Sequence, residues 1–451
     1  MEQLLKTTAE RARRYLDGLS RRNVAPAPQA IADLRRLDEP LPERPTDPGA
    51  VLALLDEIGS PATVATAGSR YFGFVIGGSL PATVAANWLA TAWDQNAGVV
   101  ALSPIAAKLE EVAMRWLLDV LGLPSHSGAG FVTCATQANF SGLAAARHAL
   151  LARRGWDVER LGLFGAPPIK VVVGDEVHVS VLKALMMLGL GRERVIRAPV
   201  DGRGRMRADS LPPLDGNTIV CIQAGNVNTG AFDPADEIVP PARAAGAWVH
   251  VDGAFGMWVA AAPNRSHLVT GFADADSWAM DAHKWLNVPY DSGIVIVGDP
   301  QHLRAAMSVA AAYIVRGEQR EPEDYTPDFS RRARGVEVWA ALRSLGRSGL
   351  ADLIERSCRH AAHFAEGLRA AGYEILNDVV INQVLVSFGD AETTRRVIAA
   401  IQQEGTCWAG ASIWQGHTAM RISVSSWATT DEDVERSLEA MIRVAAEIRK
   451  D

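Results

Sequence analysis

An α/β domain built on a mostly parallel sheet, followed by a smaller α+β domain, is the architecture this sequence predicts. Three observations predict it. From about residue 61 to 315, short apolar runs alternate with alanine-rich helical stretches. Several of those runs are continuous rather than alternating, as expected of strands covered on both faces. After about residue 330 the rhythm changes to two helices, a strand, a helix, a strand and a last helix. A chain of 451 residues is also too long for a single small core.

The elements follow in order. Residues 1–20 predict an amphipathic helix, with Leu5, Ala9, Ala12, Leu16 and Leu19 at alternating spacings of four and three. A proline-rich connector follows, carrying Pro26, Pro28, Pro40, Pro42, Pro45 and Pro48. Residues 1–60 are therefore expected to form an arm and linker, the arm's apolar seam packing on another subunit or on its own domain. Residues 61–315 are expected to form the large domain. Its strands are predicted in FVT (131–133), IKVVVG (169–174), TIVCIQAG (218–225), AWVHVDG (247–253), DSWAMDA (276–282) and GIVIVGD (293–299), with a helix over 139–154. The charged segment 316–331, with Pro322 and Pro327, reads as an exposed, mobile loop. Residues 332–451 form the small domain. Helices are predicted over 334–346, 349–371 and 391–404, strands in VVINQVLVSFG and MRISVS, and a final helix from Asp431.

Composition excludes several classes. A net charge of −7, 48% hydrophobic and 22% charged residues are ordinary for a globular protein. No dense basic stripe suggests a nucleic-acid partner. Cys134, Cys221, Cys358 and Cys407 are far apart and form no CxxC, which fits free thiols in a reducing compartment. Glu2, Lys6 and Glu10 interrupt any signal-peptide core, and no apolar run reaches membrane-spanning length. A cytoplasmic protein without membrane or nucleic-acid partners is expected. His360 and His363, near Cys358, lack a carboxylate-rich partner at zinc-enzyme spacing, so no metal site is expected. Walker, GxGxxG and GxSxG motifs are absent.

The lysines point to a chemistry. Lysine and arginine together number 45, yet only six are lysines: Lys6, Lys108, Lys170, Lys183, Lys284 and Lys450. Five sit at termini, at a strand start or in helical patterns. Lys284 alone lies in DAHKW, beside aromatic residues at a predicted strand end. Lysine, unlike arginine, can lose its proton when desolvated and attack a carbonyl. Ligands of open α/β sheets sit outside the carboxyl ends of the strands. There, AWVHV delivers Asp252, the next strand delivers His283 and Lys284, and IKVVVG leads to His178. FVT leads to CATQANFSG, a small-residue turn opening a helix whose N-terminus can hold an anion. Taken singly, such residues are more often caps or structural groups. Together they make an amine, a carboxylate, an imidazole and an anion cradle.

HVDGAFG followed by DAHKW resembles the group II pyridoxal-phosphate (PLP) decarboxylases, which include aromatic amino acid, glutamate and diaminobutyrate decarboxylases. The resemblance runs from about residue 60 to 440 through YFGF, SPIAAKLEEVAMRWL, TCATQANFSGLAAAR, DEVHVSVLKALMMLGLG, AGNVNTGAFDP, SRRARGVEVWAAL and AMRISVSSW. It implies the PLP-dependent transferase fold, aspartate aminotransferase-like, known as fold type I. It implies a homodimer that converts an L-amino acid to its amine and carbon dioxide, with Lys284 forming a Schiff base with PLP. Asp252 would pair with the pyridine nitrogen. His178 would stack on the ring. Ala135, Thr136 and Gln137 would hold the phosphate with His283, and Ala254 and Asn226 would lie near the cofactor. Phe74, Gly78, Ser79 and Arg421 would meet the substrate, in surroundings apolar enough to favour an aromatic or large apolar amino acid. Tyr325, in EPEDYTP, would be the loop's proton donor.

The sequence departs from the family where alanine often replaces Gly253, asparagine replaces Asp281 and threonine replaces Asn226. Asp281 beside a phosphate would be repulsive, so it is expected to bond neighbouring backbone N–H groups instead. Within PLP chemistry, a carbon–carbon lyase, an aldehyde synthase and an aminotransferase remain alternatives. Aldehyde synthases of this family tend to lose the loop tyrosine or the stacking histidine.

Overall fold

The structure, a computed structural model, describes residues 1–309 and 319–449. Residues 316–318 of the expected loop, and Lys450, lie outside the described residues. The chain divides into two compact units. One comprises Ser79–Arg359 and Asn377–Gln383, the other Met1–Gly78, His360–Leu376 and Val384–Asp451.

The first of these contains a seven-stranded sheet: β1 (Gly128–Val132), β2 (Lys170–Gly174), β3 (Ile196–Ala198), β4 (Thr218–Gln223), β5 (Trp248–Asp252), β6 (Ser277–Asp281) and β7 (Gly293–Val297). Their order across the sheet is β1-β7-β6-β5-β4-β2-β3. β3, β2, β4, β5 and β6 pair in parallel, and β7 runs antiparallel between β6 and β1. β1, β4, β5, β6 and β7 are buried along their whole length, which is why their sequences read as unbroken apolar runs. Every expected strand of this domain is present. β3 was not anticipated: it is three residues long and two of them are exposed at the sheet edge, so no apolar run marks it.

The helix Ala135–Ala152 packs on β5, β6 and β7 and buries Ala138, Leu143, Ala145, Ala149 and Leu150. It begins four residues earlier than its apolar pattern suggested, directly after the extended Cys134. Gly293 at the start of β7 makes room for that turn. A Cβ there would lie 2.6–2.8 Å from the Cys134 backbone. The expected pair of helices at 334–346 and 349–371 is one element, Gly335–Ala370, broken at Gly346, whose φ of 61° no other helical residue shares.

In the other unit, β8 (Glu374–Ile375), β9 (Gln383–Ser387), β10 (Gly410–Trp414) and β11 (His417–Ser423) form a sheet in the order β10-β11-β9-β8. The helices Ala391–Glu404 and Asp431–Ile448 belong to it. The N-terminal helix Glu2–Gly18 buries none of its residues, and Leu5 and Leu16 stay exposed. Arg11 pairs with Asp56 at 2.8 Å and Tyr15 bonds Thr63 at 2.9 Å. His360 and His363 pair with Asp431 and Glu435 respectively. Among the described residues no helix is long and apolar enough to cross a membrane.

Candidate active site

Strand ends of the seven-stranded sheet deliver the site. β5 ends at Asp252, which is buried. Its Oδ1 accepts from Ala254 N–H at 3.2 Å, and its Oδ2 lies 3.3 Å from Ser180 Oγ and 3.4 Å from Asn139 Nδ2. β2 leads through Asp175–Val177 to His178, which caps the helix Val179–Met187 by accepting Ser180 N–H on Nδ1 at 3.3 Å. With Nδ1 an acceptor, the ring proton sits on Nε2. The Ser180 hydroxyl is also 2.7 Å from Nδ1. It stands between His178 and Asp252, and its one proton serves either acceptor at a time.

A layer of fully buried groups stands behind Asp252. Asn139 Nδ2 donates to Ser180 Oγ at 3.1 Å, so its Oδ1 faces His250 Nε2 at 2.8 Å. That fixes His250 as the Nε2–H tautomer. Its Nδ1 accepts from the Ser277 hydroxyl at 2.8 Å, and Ser277 Oγ accepts from Trp248 Nε1–H at 2.9 Å. Burial pushes the His250 pKa down to about 4, so the ring stays neutral. The sequence reading missed Asn139, Ser180, His250 and Ser277. One signal was available: His250 and Asp252 are two apart on one strand and so share a face.

β6 ends at Asp281, followed by Ala282, His283 and Lys284. Asp281 lies 3.0 Å from Lys284 Nζ through Oδ2, and its Oδ1 accepts from Ala135 N–H at 2.5 Å. His283 Nε2 is 3.6 Å from Oδ1, and His283 Nδ1 accepts from Ser292 N–H at 3.4 Å. Burial lowers the His283 pKa, and its ring stacks on Tyr290 with centroids 4.3 Å apart. Ala254 joins the two strand ends, its N–H given to Asp252 and its carbonyl accepting Asp281 N–H at 2.9 Å. Where the family often has alanine, a Cβ on Gly253 would meet Met257 Cγ at 2.2 Å, so the Met257 side chain would have to move.

The structure thus brings together Lys284, His283, Asp252, Ala254, His178 and Ala135. Thr136 and Gln137 occupy the same helix end. The Gln137 side chain, however, is engaged elsewhere: Oε1 accepts from Thr133 N–H at 2.8 Å and Nε2 donates to Asp328 at 3.2 Å. Only its backbone N–H remains to face an anion. Asn226 is also occupied, holding the turn after β4 through Asn228 and Thr229 N–H and donating to Glu176 at 2.9 Å. It steadies the approach to His178 rather than presenting its amide. Ser79 belongs to this unit, whereas Phe74, Gly78 and Arg421 belong to the other. There, Phe74 and Tyr71 each stack on Trp408, and Arg421 lies on β11 opposite Gly410. Burial lowers the Arg421 pKa.

Tyr325 is not among the gathered residues, which corrects the expectation of a loop donor. It closes a short 3-10 turn, Pro322–Tyr325, in which Pro322, Glu323 and Asp324 are buried. Its ring lies under Arg320, 4.2 Å from the guanidinium carbon, and packs beside Gly128. Gly128 starts β1, about 13 Å along the strand from the end that bears the site. Glu321 accepts Val100 N–H at 2.7 Å and Asp324 pairs with Arg304 at 3.1 Å. The turn Pro322–Tyr325 is anchored, while Gln319, Pro327, Phe329 and Ser330 around it stay exposed.

Residues 33–389 match the pyridoxal-dependent decarboxylase conserved domain. The chain belongs to the pyridoxal-dependent decarboxylase family. Among curated relatives, this decarboxylase is 27% identical to an aromatic-L-amino-acid decarboxylase of Bacillus atrophaeus, over 74% of this chain and 69% of that one. It is 28% identical to an L-2,4-diaminobutyrate decarboxylase of Rhizobium meliloti, over 91% of this chain and 84% of the other. Its fold matches a crystal structure of Oryza sativa TDC with PLP and tryptamine at a TM-score of 0.90 and 21% identity, covering 99% and 97% of the two chains. The decarboxylase is a PLP-dependent carboxy-lyase of fold type I. Its own residues fit that cofactor. Ser292 Oγ is buried beside His283 without a hydrogen-bond partner. Thr136 and Gln137 N–H have no acceptor among the described residues. These donors suit a phosphate, Asp252 suits a pyridinium, and Lys284 suits an aldehyde.

Proposed function

We propose that this protein removes the carboxyl group of an L-amino acid, aromatic or large and apolar by preference, releasing the amine and carbon dioxide. The observation that carries the proposal is the gathering of Lys284, Asp252 and His178 at adjoining strand ends, with a helix N-terminus beside them. Bound there, PLP supplies an electron sink for the pair left behind when carbon dioxide departs. Lys284 Nζ would hold it covalently. Asp252, fixed by Ala254, Ser180 and Asn139, keeps a proton on the ring nitrogen. His178, with its proton on Nε2, would lie against the ring and would be the residue to deliver a proton to the substrate carbon. Thr136 and Gln137 N–H, with Ser292 Oγ and His283, orient the phosphate.

Support for the side-chain preference is local. Phe74 is 64% exposed and stacks on Trp408, and both Phe74 and the following Val75 hold positive φ angles that such residues rarely adopt. The resemblance assigns Phe74, Gly78, Ser79 and Arg421 to the substrate. The named relatives act on aromatic and on basic amino acids, so identity alone does not choose between them.

A homodimer is part of the proposal. It is supported by the uncovered Leu5 and Leu16 of the N-terminal helix and by exposed Trp88, Leu89 and Trp93 on the helix Pro81–Trp93. A cytoplasmic location is supported by four free cysteines. A second reading, an aldehyde synthase, is favoured by one observation: Tyr325 stands apart from the site. In that reaction one oxygen molecule and one water would be consumed per amino acid, and aldehyde, ammonia, hydrogen peroxide and carbon dioxide would leave. A panel of L-amino acids, with carbon dioxide, product mass and oxygen uptake measured together, tests both. Amine without oxygen uptake establishes the decarboxylase, and stoichiometric oxygen uptake establishes the synthase.

A further inference from the structure

Asp281 performs a task that its own strand does not need. The helix Ala135–Ala152 receives no side-chain cap from its N-cap residue, Cys134. Asp281, 146 residues later in sequence, supplies a carboxylate to its first N–H instead, at 2.5 Å from Ala135 N. The other oxygen of the same carboxylate is held by Lys284 Nζ at 3.0 Å, and the side chain is 3% exposed. The Asp281 backbone is fixed as well. Its N–H goes to Ala254 and its carbonyl accepts Trp258 Nε1–H at 3.1 Å. The carboxylate is therefore pinned from three sides onto the first amide of the helix.

A helix N-terminus attracts a carboxylate and a phosphate for the same reason, its unpaired N–H groups and the positive end of its dipole. Two anions cannot share one set of buried donors without mutual repulsion. We propose that Asp281 competes with the cofactor's phosphate for the N-terminus of the Ala135–Ala152 helix and so limits the affinity of this site for its cofactor. The proposal rests on the reading of this pocket as the PLP site. It gives Asp281 a purpose distinct from catalysis: its carboxylate takes the Ala135 N–H and sets a fixed negative charge beside the Thr136 and Gln137 N–H groups, against which the phosphate binds.

Equilibrium binding to the full-length chain freed of cofactor tests this, with PLP, pyridoxal and inorganic phosphate as probes. Asp281→Asn is expected to bind PLP and inorganic phosphate at least tenfold more tightly than wild type. Pyridoxal, which lacks the phosphate, is expected to change by less than about twofold. Asp281→Ser, which keeps a neutral capping oxygen, provides the same comparison should the amide variant fold poorly. Unchanged or weaker phosphate binding in the neutral variants overturns the proposal and makes Asp281 a permanent cap. An equal gain for pyridoxal and PLP also overturns it, because the effect then runs through Lys284. A wild type that binds neither PLP nor pyridoxal refutes the cofactor reading itself, a separate and recognisable outcome.

Discussion

His250 and Asn139 are joined by a 2.8 Å hydrogen bond between Nε2 and Oδ1, wholly out of solvent, and this bond decides which way the Asn139 amide faces Asp252. The imidazole must remain neutral for the arrangement to hold. Its pKa falls from the ordinary 6.5 to about 4 on burial. Between those values the unfolded chain binds the proton and the folded chain does not, so stability is complete above pH 6.5 and falls toward pH 4. The loss from this one group is about 3 kcal/mol. Urea unfolding across that range should show the slope in the wild type and a shallower one in His250→Gln.

Replacing Asp252 by asparagine keeps the shape and one acceptor oxygen but removes the charge. The variant should retain cofactor, detected by its absorbance, while turnover falls roughly a hundredfold or more, since preorganised charge is usually the largest catalytic contribution. Near-normal turnover would remove Asp252 from the mechanism.

Borohydride reduction should fix the cofactor to Lys284, located by peptide mass mapping. In Lys284→Ala the covalent label should vanish. A reduced label on Lys108, Lys170 or Lys183 would refute the assignment.

Tyr325→Phe should leave both the rate of product release and oxygen uptake within about twofold of wild type, because the ring under Arg320 is retained and no proton is drawn from the phenol. Tyr325→Ala should instead lower stability by about 1–3 kcal/mol, less than deleting a core aromatic ring, because Tyr325 is only half-buried. A Tyr325→Phe variant that diverts flux to aldehyde would restore the loop-donor assignment.

The sequence was most legible where one residue type had a job no other could do. Lys284 stood out because this chain otherwise uses arginine, and Asp252 and His178 because strand ends are where such sheets act. Sequence reading reached the strand ends but not the groups behind them. Asn139 meets His250 across 111 residues, and His250 meets Ser277 on a neighbouring strand whose pairing only the sheet order reveals. Tyr325 misled for a physical reason. Charge and proline usually mark mobile loops, but here Glu321 and Asp324 turn inward to a backbone N–H and to Arg304. At Gln137 the sequence did not tell which group would face outward: the side chain folds back on Thr133 N–H and leaves the backbone N–H free.

β7 is the last of the seven strands in sequence yet lies between β1 and β6. During synthesis, β1 therefore emerges long before the neighbour it must pair with. Until residues 293–297 arrive, β1 has no strand partner, and the turn at Cys134 lacks the Gly293 backbone against which it packs. The pocket cannot mature progressively from the N-terminus; it closes in one late event of high sequence separation, the slow kind that leaves sticky edges waiting. A ribosome-stalled chain ending before residue 293 should accordingly need a chaperone to stay in solution, and release a few dozen residues later should lift that need.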